Sequence, residues 1–145
     1  MGMVCKRLVY GGPEQLDSIS LRRDVLRTPL GLDFTPEELD EEIHQYHMAC
    51  MENGHIAGIL LLKEVKEGVL KMRQVAVQPS LQGKGIGRQL VSFSEQWAIE
   101  NGYHAIELNA RKAAVNFYLG QGYTIEGGEF QEVGIPHLRM YKLLK

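Results

Sequence analysis

Residues 82–87 read Gln-Gly-Lys-Gly-Ile-Gly, set between a strand-like run and an amphipathic helix. Val75-Ala76-Val77 ends the apolar run, Pro79 closes it, and Ser80-Leu81 leads into the glycines. Downstream, Ile86, Leu90, Phe93 and Trp97 recur at helical spacing and form one stripe, which stops at Asn101-Gly102. A strand that passes through such a loop into a helix delivers backbone N–H groups to one point. The helix adds its own free N–H groups and the positive end of its dipole there. Lys84 and Arg88 contribute full charges. The combination reads as a phosphate cradle.

Three kinds of cradle compete. A P-loop requires Gly, four residues and then Gly-Lys-Ser/Thr, and the chain contains no such run. A dinucleotide fingerprint requires Gly-x-Gly-x-x-Gly. Counted from Gly83 its last position falls on Arg88, and counted from Gly85 it falls on Leu90. Glu107 lies at the distance that motif favours, but inside a strand-like run. A dinucleotide-binding domain therefore stays only as a weak third reading. The remaining pattern, Gln/Arg-x-x-Gly-x-Gly/Ala, is met by Gln82, Gly85 and Gly87. It resembles the pyrophosphate loop of the GNAT family of N-acetyltransferases, which hold acetyl-coenzyme A.

The strand before the loop changes parity. Leu70 and Met72 are apolar at even positions, whereas Val75 and Val77 are apolar at odd ones. A regular strand keeps one parity per face, so one extra residue near Arg73-Gln74, a β-bulge, restores the pattern. The resemblance implies that such a bulge splays the strand from its neighbour and admits the pantetheine arm along Val75, Ala76 and Val77. A freed N–H near Val75 would then face the thioester carbonyl.

A second segment, Ala114-Val115-Asn116-Phe117-Tyr118-Leu119-Gly120-Gln121-Gly122-Tyr123, is similar to a GNAT segment in which a short helix ends at glycine. The resemblance implies that Tyr118 protonates the departing thiolate. It spans roughly residues 54–144, and the first 50 residues match only in pattern. In the cofactor set it places Gln82, Gly83, Lys84, Gly85, Ile86, Gly87 and Arg88 at the pyrophosphate. Two positions depart from the family. Where relatives carry a strand Glu, this chain has Arg73 and Gln74. Where they carry an Asn before the Tyr helix, it has Arg111, with Asn109 two residues earlier as a substitute pantetheine contact. His137, Glu64 and Glu107 are the candidate bases. Arg73 and His137 are the candidate acceptor contacts.

Composition bounds the rest. A chain of 145 residues with 44% hydrophobic and 23% charged residues reads as one globular domain, residues 1–145. A net charge of −2 argues against nucleic acid as partner. No run approaches a membrane span, and the N-terminal Met-Gly-Met-Val-Cys-Lys-Arg does not lead into a signal sequence. Cys5 and Cys50 have no metal-like spacing and are expected as free thiols in the cytoplasm. His44 and His47 lack further ligands at zinc spacing, so no metal is expected. The acidic group Asp33, Glu37, Glu38, Asp40, Glu41 and Glu42 reads as the solvated face of a short helix.

Pattern gives the order β, α, α, β, β, β, α, β, α, β, β. Strands are expected over 6–10, 46–51, 56–62, 105–109, 124–130 and 137–143, besides the bulged one. The first helix has Leu16, Ile19 and Leu26 on its inner face and ends at Thr28-Pro29, and Thr35-Pro36-Glu37-Glu38 starts the second. This is an α/β (α+β) arrangement: a mixed, mostly antiparallel sheet with a central βαβ unit and helices on both faces. It is the order of the acyl-coenzyme A N-acyltransferase fold. The expected activity is acetyl transfer to a primary amine of a small molecule or protein, by an enzyme that could be a homodimer. The alternative is a non-catalytic acyl-coenzyme A-binding module.

Overall fold

Asn53 and Gly54 both take positive φ, 52° and 81°. That geometry suits a two-residue turn whose twist matches its strands, and it folds β2 (Tyr46–Glu52) onto β3 (His55–Lys66). The computed structural model describes residues 3–144. Met1 and Gly2, at the head of the N-terminal run, and Lys145 lie outside the described residues. β1 (Met3–Leu8) pairs antiparallel with β2 along its whole length, two to three residues earlier than pattern suggests.

β4 (Val69–Val77) follows β3 and leads through the glycine loop into α3 (Ile86–Glu100). β5 (Ala105–Arg111) returns parallel to β4, which completes the βαβ crossover. A short α4 (Val115–Gly120) then precedes the hairpin of β6 (Thr124–Glu132) and β7 (Ile135–Leu143). Among the described residues the seven-stranded sheet has the order β1-β2-β3-β4-β5-β7-β6, and only β4 and β5 run parallel.

Each face of the sheet has its own cover. α3 and α4 pack Leu90, Val91, Ala98 and Tyr118 against Leu60, Leu62, Leu70 and Ile106. On the other face, α1 (Pro13–Arg22) and the wide turn after it place Leu21 and Leu26 against Ala49, Ile59 and Ala76. The parity change predicts this division at β4. Leu70, Met72, Val75 and Val77 all pack in the cluster on the α3 side, while Ala76 joins the apolar cluster on the α1 side.

Four expectations are corrected. Leu16 is 56% exposed; the inner face of α1 is Gln15, Ser18, Leu21 and Arg22. Three of those are polar, and an apolar stripe cannot reveal them. The helix does not stop at Thr28-Pro29 but winds through a π-type turn at Arg23–Arg27 and a further short turn, ending at Gly31 in the left-handed region. Glu42 is not part of a solvated face. It follows α2 (Pro36–Glu41) and is buried against Arg22. Cys5 and Cys50 are not free thiols but a disulfide, since the β1–β2 register sets them directly opposite each other.

Candidate active site

Local backbone chemistry opens the cleft. Gln74 has φ 58°, and the β3–β4 register slips there, from Ile59↔Ala76 to Leu61↔Arg73. Two residues of β4 thus oppose one of β3, which is a bulge at the expected place. β5 pairs with β4 only from Val69↔Ala105 to Met72↔Leu108. Val75 sits in the bulge and Ala76 and Val77 pair with β3, but the other edge of all three has no partner strand among the described residues. A strand edge without a partner is a row of free donors and acceptors.

That edge lines a cleft of about 670 Å³. One end is the glycine loop. Gly83 and Gly85 both have φ of 82°, and an added Cβ at either would meet nothing within 4 Å, so the loop leaves room beside its backbone. The first bond of α3 joins Gln89 N–H to the carbonyl of Gly85, so Ile86, Gly87 and Arg88 keep N–H groups free of helical acceptors. Gln82 closes the near side by donating Nε2 to the carbonyl of Val77 at 3.3 Å. Ile86 is buried and anchors the loop, while Lys84 and Arg88 remain exposed. At Gly87 a Cβ would come within 3.3 Å of the Phe117 ring, so the helix start and α4 meet at that glycine.

The other end of the cleft meets Tyr118, Ala114 and Val25. Tyr118 is 6% exposed, and burial pushes its hydroxyl well above the ordinary tyrosine value. A group in that state carries its proton at neutral pH.

From Tyr118, Val75, Ala114 and Val25 the cavity continues into a second arm of about 430 Å³. Arg73, Asn109, Arg111 and His137 all lie in this arm. Arg73 donates to Gln45 Oε1 at 2.8 Å, and Asn109 donates Nδ2 to Glu132 Oε1 at 3.1 Å. Arg111 donates to the carbonyl of Leu26 at 3.2 Å; burial, then the charge of Arg27, lowers its pKa. His137 is 3% exposed and holds Nδ1 2.9 Å from the carbonyl of Ile135. A carbonyl only accepts, so Nδ1 carries a proton and donates it to Ile135. Nε2 points toward Glu132, 3.7 Å away.

Glu64 and Glu107 are elsewhere. Glu64 accepts from Tyr103 at 3.1 Å and Glu107 from Arg139 at 3.2 Å, and neither lines the cleft. Sequence reading missed the wall supplied by Val25, Leu26 and Arg27, and it missed Glu132. The π-type turn and the β6–β7 register place them, and neither has a local signal.

The family's sequence model, described as an acetyltransferase (GNAT) domain, matches residues 20–144. This chain belongs to the GNAT acetyltransferase family. As a GNAT protein it is an acetyltransferase enzyme of a family that uses acyl-coenzyme A donors. It is 30% identical over 140 residues to the uncharacterized N-acetyltransferase YjcF of Bacillus subtilis, covering 94% of this chain and 99% of that one. It is likewise 30% identical over 134 residues to an aminoalkylphosphonate N-acetyltransferase of Salmonella typhimurium, covering 83% and 85%. Among solved structures, a candidate N-acetyltransferase from Lactobacillus plantarum superposes with a TM-score of 0.88 at 23% identity over 100% of both chains. That likeness shows the GNAT fold. His47, which could have paired with His44 at a metal, is instead buried with Nε2 3.0 Å from the carbonyl of Glu42.

Proposed function

We propose that this GNAT enzyme, acting as one domain over residues 1–145, transfers an acetyl group from acetyl-coenzyme A to a primary amine by direct attack. The observation that carries the reading is the free edge Val75–Val77, which runs from the glycine loop to Tyr118. The residues suit the donor. Open space at Gly83 and Gly85 and free N–H groups at Ile86, Gly87 and Arg88 fit a pyrophosphate, with Gln82 bracing the loop and Lys84 adding charge. Val75, Ala76 and Val77 offer backbone bonds to the extended pantetheine arm, and Asn109 and Arg111 flank the junction beyond it.

When bound, the donor supplies an acyl group activated as a thioester. The protein's own residues then face two proton problems. An alkyl ammonium with pKa about 10.4 costs roughly 4–5 kcal/mol to present as free amine near pH 7. We assign that proton to His137 Nε2, which lies 3.7 Å from Glu132, and Arg73 borders the same arm. A leaving thiol with pKa about 8.5 needs less help, roughly 2 kcal/mol, and Tyr118 supplies its proton. A backbone N–H near Val75 would hold the oxygen that gains charge. The acyl-coenzyme A pool is cytoplasmic, and we place the enzyme there; in that compartment the Cys5–Cys50 bond would be open to reduction.

A thermal-shift titration with acetyl-coenzyme A, coenzyme A, NAD and ATP tests the reading. A ligand at about 100 times its dissociation constant stabilises by roughly 2.7 kcal/mol. That corresponds to roughly 5–10 °C for a chain of this size. A shift with acetyl-coenzyme A but not NAD, followed by thiol release on an amine panel, is the expected outcome. Binding without turnover on any amine would instead favour the binding module, and no shift with either coenzyme A species would overturn both.

A further inference from the structure

The second arm gathers positive charge that the protein does not neutralise. Lys71, Arg73, Arg111 and Arg27 all line it, against one carboxylate, Glu132. Among the described residues, none of the four cations has a carboxylate oxygen within 4.0 Å. Outside the arm, three arginines are paired, Arg22 with Glu42, Arg23 with Asp33, and Arg139 with both Glu107 and Glu126, while Arg7 lies over the Tyr46 and Trp97 rings and Arg88 is exposed beside the glycine loop. Arg27 and Arg111 even converge, donating to the same carbonyl of Leu26 at 3.5 and 3.2 Å. Two half-buried guanidiniums sharing one neutral acceptor repel each other, and burial reduces the screening that water would give.

The position of this charge says what it serves. The arm begins at Tyr118 and Val75, on the far side from the glycine loop, so the donor's pyrophosphate would lie at the opposite end of the cleft. The carboxylate of Glu132 and the buried His137 ring share the arm with the cations. One negative locus and a positive cluster within about 430 Å³ match a small molecule that carries both charges. We infer that the acceptor is a small amine bearing its own oxyanion group, a carboxylate or phosphonate, held by Arg27, Arg73 and Arg111 while its amine meets Glu132 and His137. Planar guanidiniums suit either oxyanion, because both accept paired N–H donors. This inference rests on the acetyltransferase reading and narrows its acceptor.

The test measures thiol release at saturating acetyl-coenzyme A with four amines of equal chain length: an ω-amino carboxylate, its amide, an aminoalkylphosphonate and an amino alcohol. The charged members should exceed their neutral counterparts at least 10-fold in kcat/KM, and the better of the two identifies the oxyanion. Arg27→Gln and Arg73→Gln should each raise KM for the charged amines about 10- to 100-fold. They should raise KM for the neutral amines far less than for the charged ones, and the acetyl-coenzyme A thermal shift should persist. Where no amine turns over, stabilisation of the coenzyme A complex by each amine gives the same comparison. Equal preference for charged and neutral amines overturns the inference and leaves the acetyltransferase reading standing. Absence of any acetyl-coenzyme A shift overturns that reading first.

Discussion

Arg22 and Glu42 form a two-pronged ion pair, with both N–O distances 2.8 Å, on the face of the sheet opposite α3. Arg22 is fully buried and Glu42 is 3% exposed. The pair ties α1 to the segment after α2, and Arg22 also stacks 5.1 Å from the Phe34 ring centroid. Its partner removed, a buried guanidinium keeps a charge that nothing compensates. Glu42→Gln is therefore expected to cost about 3 kcal/mol, seen as a fall in Tm of roughly 10 °C. The double change Arg22→Leu with Glu42→Leu should recover most of that loss. A single-mutant loss below about 1 kcal/mol in chemical denaturation would show that the pair contributes little.

Gly85 carries the other test of architecture. Its φ of 82° disfavours any side chain, while the space beside it is open. Gly85→Asp should strain the backbone by about 1–3 kcal/mol and project a negative charge where the pyrophosphate would lie. The expected outcome is a folded protein whose acetyl-coenzyme A affinity, measured by calorimetry, falls by more than about 100-fold. Wild-type affinity in a folded variant would remove the glycine loop from the donor site.

The features that were legible before the structure are local ones. The glycine loop and the parity change at Arg73-Gln74 each follow from the conformations that a few adjacent residues allow, and both stand where expected. The capping box at Thr35 and Glu38 is equally local, and both of its hydrogen bonds are made. What escaped depends on distant partners. Gln15, Ser18 and Arg22 form the buried face of α1, and Arg22 does so because Glu42 meets it from 20 residues away. The Cys5–Cys50 bond requires the β1–β2 register. Glu132 reaches the cleft through the β6–β7 hairpin, and Arg27 reaches it from a π-type turn, which no apolar period announces.

His47 gives the protein an acid limit. Its ring is 1% exposed, and burial lowers its pKa below the usual histidine value of about 6.5, so the folded state holds it neutral. The unfolded chain takes up a proton as pH falls below about 6.5, while the native state resists. The stability contributed by neutral His47 is present above that pH and is lost as pH falls toward the native value. Urea midpoints at pH 7.5 and 5.5 should show a loss for the wild type. A His47→Gln variant, weaker at both pH values, should show a smaller difference between them. An equal pH dependence in the two proteins would assign the acid limit to other groups.

Cys5 and Cys50 are separated by 45 residues, a loop long enough for a cross-link to restrict the unfolded chain considerably. The chain-entropy relation gives about 4 kcal/mol for such a loop as the scale of the effect. Intact mass should be two hydrogens below that of the reduced chain, and added dithiothreitol should lower Tm by roughly 10 °C. Cys50→Ser should reproduce the reduced behaviour and lose its response to dithiothreitol. An unreduced mass equal to that of two thiols would contradict the cross-strand bond.

Tyr118 is the residue whose chemistry pH can isolate. Burial keeps its hydroxyl protonated beyond the ordinary tyrosine range, so kcat should not fall through loss of this acid anywhere below pH 10. Tyr118→Phe keeps the ring against Phe117 and Tyr123 and removes only the hydroxyl. Its kcat should drop about 10- to 100-fold, with KM for acetyl-coenzyme A little changed. The same burial has a stability signature of known sign. Above pH 10 the unfolded chain releases the Tyr118 proton and the native state does not, so stability present below that pH declines as pH rises. Tyr118→Phe should therefore lessen the decline in urea midpoint between pH 9 and 11. An unchanged kcat would exclude Tyr118 as the acid, whatever the alkaline unfolding curve showed.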